Sequence, residues 1–256
     1  MQVRIPTRLN SAGLKSPGLN PAVLETQAQD LTLEPGQLVL AVGGSKSGKS
    51  KLLEKWAQET AQVWQTPLWY LATLEVGEDP ENQARVDRHR SQRAGKGFET
   101  IEASCNLTQS LQAYFPQQDS KRPVLLLECL GTLLANEIFS PRNQGRQAAW
   151  GLPPTYDQAP DPGLADQIAR DLLEDLSWLS KQTSLLFIAS NDVFSNCPPP
   201  DPWSRLWLEA LGLVHQGLAQ GPTCFLVEVA AGIALAWSGP GLPQGDCPGV
   251  TFSDRP

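Results

Sequence analysis

The chain has 256 residues, of which 41% are hydrophobic and 18% are charged, and its formal net charge is −7. This hydrophobic content suffices for a sizeable core, and the acidic balance argues against nucleic acid as a partner because binding a phosphate backbone needs a basic face. No apolar run approaches the roughly 18 residues of a membrane span, and no apolar stretch follows the first residues as it would in a secretory signal. Five cysteines without metal-ligand spacing indicate free thiols and a cytoplasmic location.

Three regions differ in composition. Residues 1–36 are rich in Ser, Gly, Pro, Asn and Thr, which predicts a loosely ordered extension with at most one short helix near residues 22–28. Residues 37–238 are predicted to form the catalytic domain, interrupted by a Pro/Gly-rich surface loop at 140–163. Residues 239–256, dense in Pro and Gly, are predicted to be a disordered tail.

From Gln37 onward, apolar segments alternate with helical patterns. The predicted strands are 38–42, 68–72, 98–102, 124–129, 184–189, 224–229 and 233–237. The predicted helices are 51–64, 80–93, 107–115, 132–139, 164–182 and 203–220. Near-continuous apolar strands such as VLLLEC and LLFIA are typical of a parallel sheet covered by helices on both faces. The chain is therefore predicted to be an α/β protein that binds ligands at the carboxyl ends of its strands.

One segment carries a specific phosphate-binding signal. GGSKSGKS, residues 43–50, matches G-x-x-x-x-G-K-[ST] and lies between a predicted strand and a predicted helix. In this context the loop's backbone N–H groups and the helix N-terminus bind phosphates. Lys49 would reach the β- and γ-phosphates, and the Ser50 hydroxyl would bind Mg²⁺. The pattern predicts a P-loop nucleotide-binding protein.

A carboxylate at the end of the strongest buried strand is the candidate partner of that loop. Glu128 follows VLLL, where a carboxylate can hold Mg²⁺ or orient an attacking group. The alternative is that Glu128 only caps the next helix. Thr73 and Glu75 follow another predicted strand and are expected at the same edge of the sheet.

His89 is the candidate nucleophile. On a helix, Arg85 and Arg93 would flank it at i−4 and i+4, and their charges would lower its pKa and favour a neutral ring. The residues alone leave open that His89 is a solvated helix residue. The second histidine, His215, is interpreted as a structural residue in the middle of a helix.

Five segments together resemble one family. GGSKSGKS, YLATLE, ARVDRHRSQR, FETIEA and LLLECLGTLLANEIF are similar in order and spacing to the bifunctional adenosylcobinamide kinase / adenosylcobinamide-phosphate guanylyltransferase family. The resemblance implies a RecA-like P-loop fold and homo-oligomers. It also implies phosphorylation of adenosylcobinamide by ATP or GTP, and then transfer of GMP from GTP to adenosylcobinamide phosphate through a GMP-histidine intermediate.

The resemblance also assigns residues. The family's histidine corresponds to His89, which with Lys49 and Glu128 forms the catalytic set, while Ser50 and Glu128 are the candidate Mg²⁺ ligands. The nucleotide contacts that it implies are Gly43, Gly44, Ser45, Lys46, Ser47, Gly48, Lys49, Ser50, Thr73, Leu74, Glu75, Arg90, Ser91, Gln92, Arg93, Glu102 and Glu128.

The C-terminal half departs from the family pattern. The family's N-E-V-G-x-G-I-V-P segment corresponds to residues 191–199, NDVFSNCPP, which lacks the glycines, and His215 stands where the family has Asn. This departure leaves two alternatives open: a P-loop kinase or NTPase acting on another small molecule, or a degenerate nucleotide-binding module with a regulatory role.

Overall fold

The structure is a computed structural model that describes residues 2–5, 31–75, 91, 95–115, 121–153, 155–195, 197–230 and 233–238. Its strands are β1 (Val3–Ile5), β2 (Leu31–Leu33), β3 (Gln37–Gly43), β4 (Leu68–Ala72), β5 (Glu99–Glu102), β6 (Val124–Glu128), β7 (Leu185–Asn191), β8 (Cys224–Ala230) and β9 (Ile233–Ser238). Its α-helices are α1 (Lys49–Trp64), α2 (Leu107–Leu111), α3 (Leu130–Phe139), α4 (Gln144–Ala149), α5 (Leu164–Gln182) and α6 (Pro202–Ala219). Short 3₁₀ turns follow α2 and α3.

The main sheet has seven strands in the order β5-β4-β6-β7-β3-β8-β9. All neighbours from β5 to β8 pair in parallel, and only β9 is antiparallel, at the edge beside β8. β7 lies between β3, which leads into the phosphate loop, and β6, which ends at Glu128. This is the strand order of RecA-like P-loop proteins, so the chain is an α/β protein of that fold class.

Helices cover both faces of the sheet because successive side chains of a strand point to opposite faces. Leu38 and Leu40 of β3 belong to a core shared with α2, α3, α5 and α6. Val39 and Ala41 belong to a second core shared with α1, β1 and β2. With apolar side chains on both faces, the strands contain the continuous hydrophobic runs that the sequence shows.

The sequence predicted most elements of the main sheet. The helix predicted at 164–182 has those bounds in the structure, and the strand predicted at 68–72 also agrees. Helix α6 begins one residue earlier than predicted, at Pro202, because the Asp201 side chain accepts a hydrogen bond from Ser204 N and caps the helix. Among the described helices, none is long and apolar enough to cross a membrane.

Two short segments of the region predicted as a loosely ordered extension form strands, whereas residues 6–30 lie outside the described residues. β1 and β2 pair antiparallel, with Ile5 opposite Leu31 and Val3 opposite Leu33. Ile5 and Leu33 are fully buried in the core beneath α1. Strands of three residues are too short for an alternating pattern to identify. Their paired residues lie 26 to 30 positions apart along the chain, so only tertiary packing reveals them. The short helix predicted at residues 22–28 lies outside the described residues.

The predicted surface loop at 140–163 contains helix α4. Arg146 of this helix forms ion pairs with the fully buried Glu137, at 3.4 Å, and with Asp175, at 2.6 Å. The indole N–H of Trp150 donates to Asp171 at 2.6 Å. Burial raises the pKa of Glu137, while the charge of Arg146 opposes this effect. The segment is ordered by partners on α3 and α5, which a local reading of its Pro, Gly and Gln content could not detect.

The helix predicted at 80–93 falls almost entirely outside the described residues, with only Ser91 described, in helical conformation. The tail at 239–256 also lies outside them. The predicted disorder of that tail stays a prediction.

Replacing Leu33 tests whether the β1–β2 pair is part of the core. We expect Leu33→Ala to lower the free energy of unfolding by about 2–5 kcal/mol, because it leaves a cavity in a buried cluster. Urea denaturation followed by circular dichroism measures the change. Arg4→Ala, on the exposed side of β1, is the control and should change stability by less than about 0.5 kcal/mol. Equal, small effects of both changes would show that the pair does not contribute to the core.

Candidate active site

The phosphate loop follows β3, and two of its residues have left-handed backbone conformations. Lys46 has φ 61° and Gly48 has φ 95°. Gly43 is required for a different reason, since a Cβ there would lie 2.4 Å from the carbonyl oxygen of Val229 in β8. The loop residues Gly44, Ser45 and Lys46 are exposed, so their backbone groups are accessible to a ligand.

Helix α1 begins directly after the loop with its N-terminal groups uncapped. Gly48 provides no side chain at the cap, and no acidic residue lies in the first turn. A helix N-terminus carries unpaired N–H donors and the positive end of the helix dipole. The hydroxyl oxygen of Ser47 is buried and has no hydrogen-bond partner among the described residues. These features fit an anion such as a phosphate.

Lys49 is buried, with 6% exposure, and its ammonium donates to the carbonyl oxygen of Gly44 at 3.2 Å. Burial lowers the pKa of Lys49, and the nearby Glu128 and Cys129 oppose this effect. The ammonium is therefore hydrogen-bonded to the start of the loop, and it is close enough to Glu128 for their charges to interact.

Ser50 connects the phosphate loop to the end of β6, because its hydroxyl donates a hydrogen bond to Oε1 of Glu128. The sequence predicted these two residues as a joint Mg²⁺ site, and the structure places them in contact. Hydroxyl and carboxylate oxygens are the hard donors that Mg²⁺ prefers. Among the described residues no group of three His, Cys, Asp or Glu side chains could hold a metal, so a cation here would need further oxygens from a bound nucleotide or water.

Thr73 is fully buried behind the end of β6. Its hydroxyl lies within hydrogen-bond distance of the carbonyl oxygens of Glu128 and Cys129, at 2.9 and 3.0 Å, and it accepts from Cys129 N at 2.8 Å. Asn136 of α3 donates to the carbonyl oxygen of Thr73 at 2.7 Å. The side chain of Thr73 thus holds the end of β4 against the end of β6 and supports the position of Glu128.

The other predicted contacts on this side lie beyond β4 and β5. Leu74 and Glu75 are half-buried, and the Glu75 carboxylate accepts from the Ser140 hydroxyl and pairs with Arg142 at 3.1 Å. Glu102 ends β5 and is exposed. Parallel pairing therefore places Glu102, Glu75, Glu128 and the phosphate loop along one edge of the sheet.

Several predicted residues are outside the structure's description. His89, Arg90, Gln92 and Arg93 lie outside the described residues, and Ser91 is exposed. Their assignment as nucleophile and nucleotide contacts stays a prediction.

His215 lies near the carboxyl edge, behind the phosphate loop. Its Nε2 is 2.7 Å from the hydroxyl of Ser190, which is fully buried near the end of β7. The backbone N–H of Asp192 donates to the carbonyl oxygen of Gly43 at 3.0 Å, so the end of β7 contacts the start of the loop. Burial lowers the pKa of His215 to about 4, although the charge of Asp192 opposes this effect. The imidazole is neutral and stabilises β7 next to the loop.

Sequence reasoning did not assign roles to Asn136, Ser140 or Ser190. Asn136 lies in the LLANEIF segment, where a polar side chain interrupts an apolar helix face. Ser190 interrupts a buried strand close to its carboxyl end. Polar residues at such positions need hydrogen-bond partners, and this requirement is the signal that could have identified them.

The titration of His215 gives a pH-dependent stability. The ring is neutral in the folded protein, whereas an unfolded chain binds a proton near pH 6.5. The stabilisation is therefore present above pH 6.5 and is lost as pH falls toward 4, by up to about 3 kcal/mol. We expect His215→Asn, which keeps a hydrogen-bonding group beside Ser190, to show a shallower fall of unfolding free energy between pH 6.5 and 4. Identical pH slopes for the two proteins would contradict this account.

Comparison with known proteins gives the family. The model of the family "Cobinamide kinase / cobinamide phosphate guanyltransferase" matches residues 39–237. The bifunctional adenosylcobalamin biosynthesis protein CobU of Escherichia coli is 24% identical over 182 residues, which cover 71% of this chain and 90% of that protein. The bifunctional protein CobP of Pseudomonas aeruginosa is 27% identical over 181 residues, 71% of this chain and 86% of that protein.

Among solved structures, the flagellar accessory protein FlaH from Methanocaldococcus jannaschii is similar with a TM-score of 0.41 and 12% identity, over 83% of this chain and 84% of that one. The family match covers the phosphate loop, the strand that ends at Glu128 and the segment that contains His89. The chain belongs to the cobinamide kinase / cobinamide phosphate guanyltransferase family.

Proposed function

We propose that the chain phosphorylates adenosylcobinamide with ATP or GTP and then transfers GMP from GTP to adenosylcobinamide phosphate, a pair of transferase reactions in cobalamin biosynthesis. The observation that carries the proposal is the contact between Ser50 of the phosphate loop and Glu128 at the end of β6, beside the buried Lys49. A cationic group, a hydroxyl and a carboxylate next to a phosphate loop support the proposal, because they are the groups that a triphosphate and its metal ion need.

In the kinase reaction, the loop and the N-terminus of α1 bind the phosphates, and Lys49 neutralises charge on the β- and γ-phosphates. The substrate hydroxyl forms a bond to the γ-phosphorus, the bond from that phosphorus to the nucleoside diphosphate breaks, and the hydroxyl proton is released. Catalysis of this kind is mostly positioning and charge stabilisation. A rigid loop fixed by Gly43 and Asp192 suits that task.

In the guanylyl transfer, we assign His89 as the nucleophile. A ring nitrogen forms a bond to the α-phosphorus of GTP, and pyrophosphate leaves. A phosphate oxygen of adenosylcobinamide phosphate then attacks the same phosphorus, and the P–N bond breaks, which restores the imidazole and gives adenosylcobinamide-GDP. Splitting one displacement into two is the advantage of covalent catalysis. Arg90 and Arg93 are proposed to neutralise the leaving pyrophosphate.

The carboxylates along the edge suit the nucleoside. Glu102 is exposed at the end of β5, where it can accept hydrogen bonds from ribose hydroxyls or from guanine N–H groups. Glu75 is oriented by Ser140 and Arg142, so it can do the same in a fixed geometry. Thr73 is proposed to act through Glu128, whose main chain it holds.

Mg²⁺ is the proposed metal, held by Ser50 and Glu128 together with phosphate oxygens, and it would neutralise charge on the phosphates. We also propose that the protein acts in the cytoplasm as a homo-oligomer and has no nucleic-acid partner. The described cysteines Cys105, Cys129, Cys197 and Cys224 are all free thiols, which agrees with a reducing compartment.

The single phosphate loop predicts that one change abolishes both reactions. We expect Lys49→Ala to lower kcat/KM of phosphorylation and of guanylyl transfer by at least about a hundredfold each, because it removes the cation that neutralises the phosphates. Both rates are measured with purified adenosylcobinamide or its phosphate. Lys55→Ala, on the same helix and with a side chain that is 43% exposed, is the matched control. Near-normal guanylyl transfer by Lys49→Ala would show that GTP binds elsewhere.

Changing His89 should separate the two activities. His89→Asn should lose acid-labile, alkali-stable label from α-labelled GTP and reduce guanylyl transfer to background, since the nucleophile is gone. Phosphorylation of adenosylcobinamide should continue, because that displacement needs no histidine. His215→Asn should keep the label and serves as the matched control. Full labelling of His89→Asn would overturn the assignment.

A further inference from the structure

A cavity of about 920 Å³ lies at the opposite edge of the sheet from the phosphate loop. It is lined by the amino ends of β3, β7 and β8, by the residues before β6 and by the last turns of α1, α5 and α6. We call it the amino-edge cavity. A seven-residue strand such as β3 spans about 23 Å, so the cavity and the phosphate loop are separate sites.

The wall of the amino-edge cavity is largely apolar. Leu38 of β3, Leu173 and Leu176 of α5 and Leu218 of α6 contribute to it. Gly217 stands where a Cβ would lie 2.5 Å from Cδ1 of Leu173, so glycine at this position lets Leu173 of α5 pack directly against the backbone of α6. A space of this volume is in the range of small-molecule sites, which are mostly apolar with a few polar groups.

Three buried polar atoms of the lining residues have no hydrogen-bond partner among the described parts of the chain. They are the indole N–H of Trp64 and the hydroxyls of Thr66 and Ser184. Trp64 is only 8% exposed. A buried polar group without a partner costs about 1–3 kcal/mol. Because these three atoms have almost no accessible surface, they are a local cost in the wall of the cavity and are not contacts for a ligand.

The charged residues of the lining are all cationic. Lys121 and Arg122 precede β6, Lys181 lies in the last turn of α5, and no Asp or Glu is among the described residues that line the cavity. Lys121 donates to the carbonyl oxygen of Gln65 at 2.9 Å, which holds it beside the end of α1. In a chain of net charge −7, three cations without a lining carboxylate favour an anion at this position.

We propose that the amino-edge cavity is a second ligand site, which binds a small organic anion with an apolar body. The leucines would contact the body, and Arg122 and Lys181 would attract its charged group. This site does not depend on the proposed reactions at the phosphate loop, and its ligand should bind together with GTP.

The test uses the full chain and 8-anilinonaphthalene-1-sulfonate, an apolar anion whose fluorescence rises on binding. We expect saturable binding, displacement by octanoate, and little displacement by octylammonium or 1-octanol at equal concentration. GTP with Mg²⁺ should not displace the dye, and Lys49→Ala should bind it normally. Equal displacement by the anion and the cation, or displacement by GTP, would overturn the proposal, as would no saturable binding.

Charge-reversal variants test where the dye binds. Arg122→Glu with Lys181→Glu should weaken dye binding about tenfold or more, equivalent to at least about 1.4 kcal/mol. Lys55→Glu with Arg170→Glu, which makes the same charge change on α1 and α5 outside the lining, is the control and should leave the dissociation constant within about twofold. Equal weakening by both pairs would overturn the proposal, because it would show only a general effect of charge.

A second pair of variants tests the space itself. Ser177→Trp places a large side chain at the cavity lining on α5, whereas Glu174→Trp places it on the same helix outside the lining, and both positions are exposed. Ser177→Trp should lose dye binding and Glu174→Trp should keep it, with folding of each checked by thermal unfolding. Normal binding by a folded Ser177→Trp would show that the dye binds elsewhere and that solvent alone fills the cavity. If Ser177→Trp does not fold, the dissociation constants of the charge-reversal variants test the proposal instead.

Discussion

The parallel pairing of β3 with β7 on one side and β8 on the other determines where the active-site groups lie. β3 delivers the phosphate loop, β7 brings Asp192 to the carbonyl of Gly43, and β8 approaches so closely that only glycine fits at position 43. A parallel sheet brings the carboxyl ends of all its strands to one edge. The loop is therefore held between two strands before any ligand contributes, which is the preorganisation that phosphoryl transfer needs.

A network of hydrogen bonds and ion pairs lies behind this edge of the sheet. Thr73 and Asn136 join the ends of β4, β6 and α3 through hydrogen bonds, and Glu75 is joined to the segment after α3 by Ser140 and Arg142. The buried ion pair between Glu137 and Arg146 orders that segment in turn. Breaking such a pair leaves a buried charge without a partner. Thr73, Asn136, Glu137 and Arg146 are therefore expected to maintain the geometry of the edge without touching the substrate.

The two edges of the sheet differ in chemistry. The carboxyl edge carries Glu75, Glu102 and Glu128 next to the cationic loop, whereas the described charged residues of the amino-edge cavity are Lys121, Arg122 and Lys181. Helix C-termini point their carbonyl groups toward the amino edge, and cations near helix C-termini are favourable for that reason. These cations are thus compatible with the fold. Lys121 donates to Gln65, and Arg122 and Lys181 are the ones proposed to attract a ligand's anionic group.

The sequence by itself determined the nucleotide-binding loop, the strand that ends at Glu128, the contact partner Ser50 and the α/β class. These features can be predicted from short stretches of sequence, because a glycine pattern, a continuous apolar run and a helical spacing of apolar residues each involve residues that are close together in the chain. The sequence also predicted the helix at 164–182 with its bounds. Its assignment of His89 rests on resemblance and on a segment outside the described residues.

Only the tertiary structure decided how β1 and β2 join the core, how α4 orders part of the predicted loop and where the amino-edge cavity lies. Leu33 is buried by a strand 28 positions or more away, and Arg146 is held by partners on α3 and α5. The cavity is lined by segments that lie far apart in the chain, between residues 35 and 224. Such features depend on contacts between distant segments, and the propensities of adjacent residues carry no information about them.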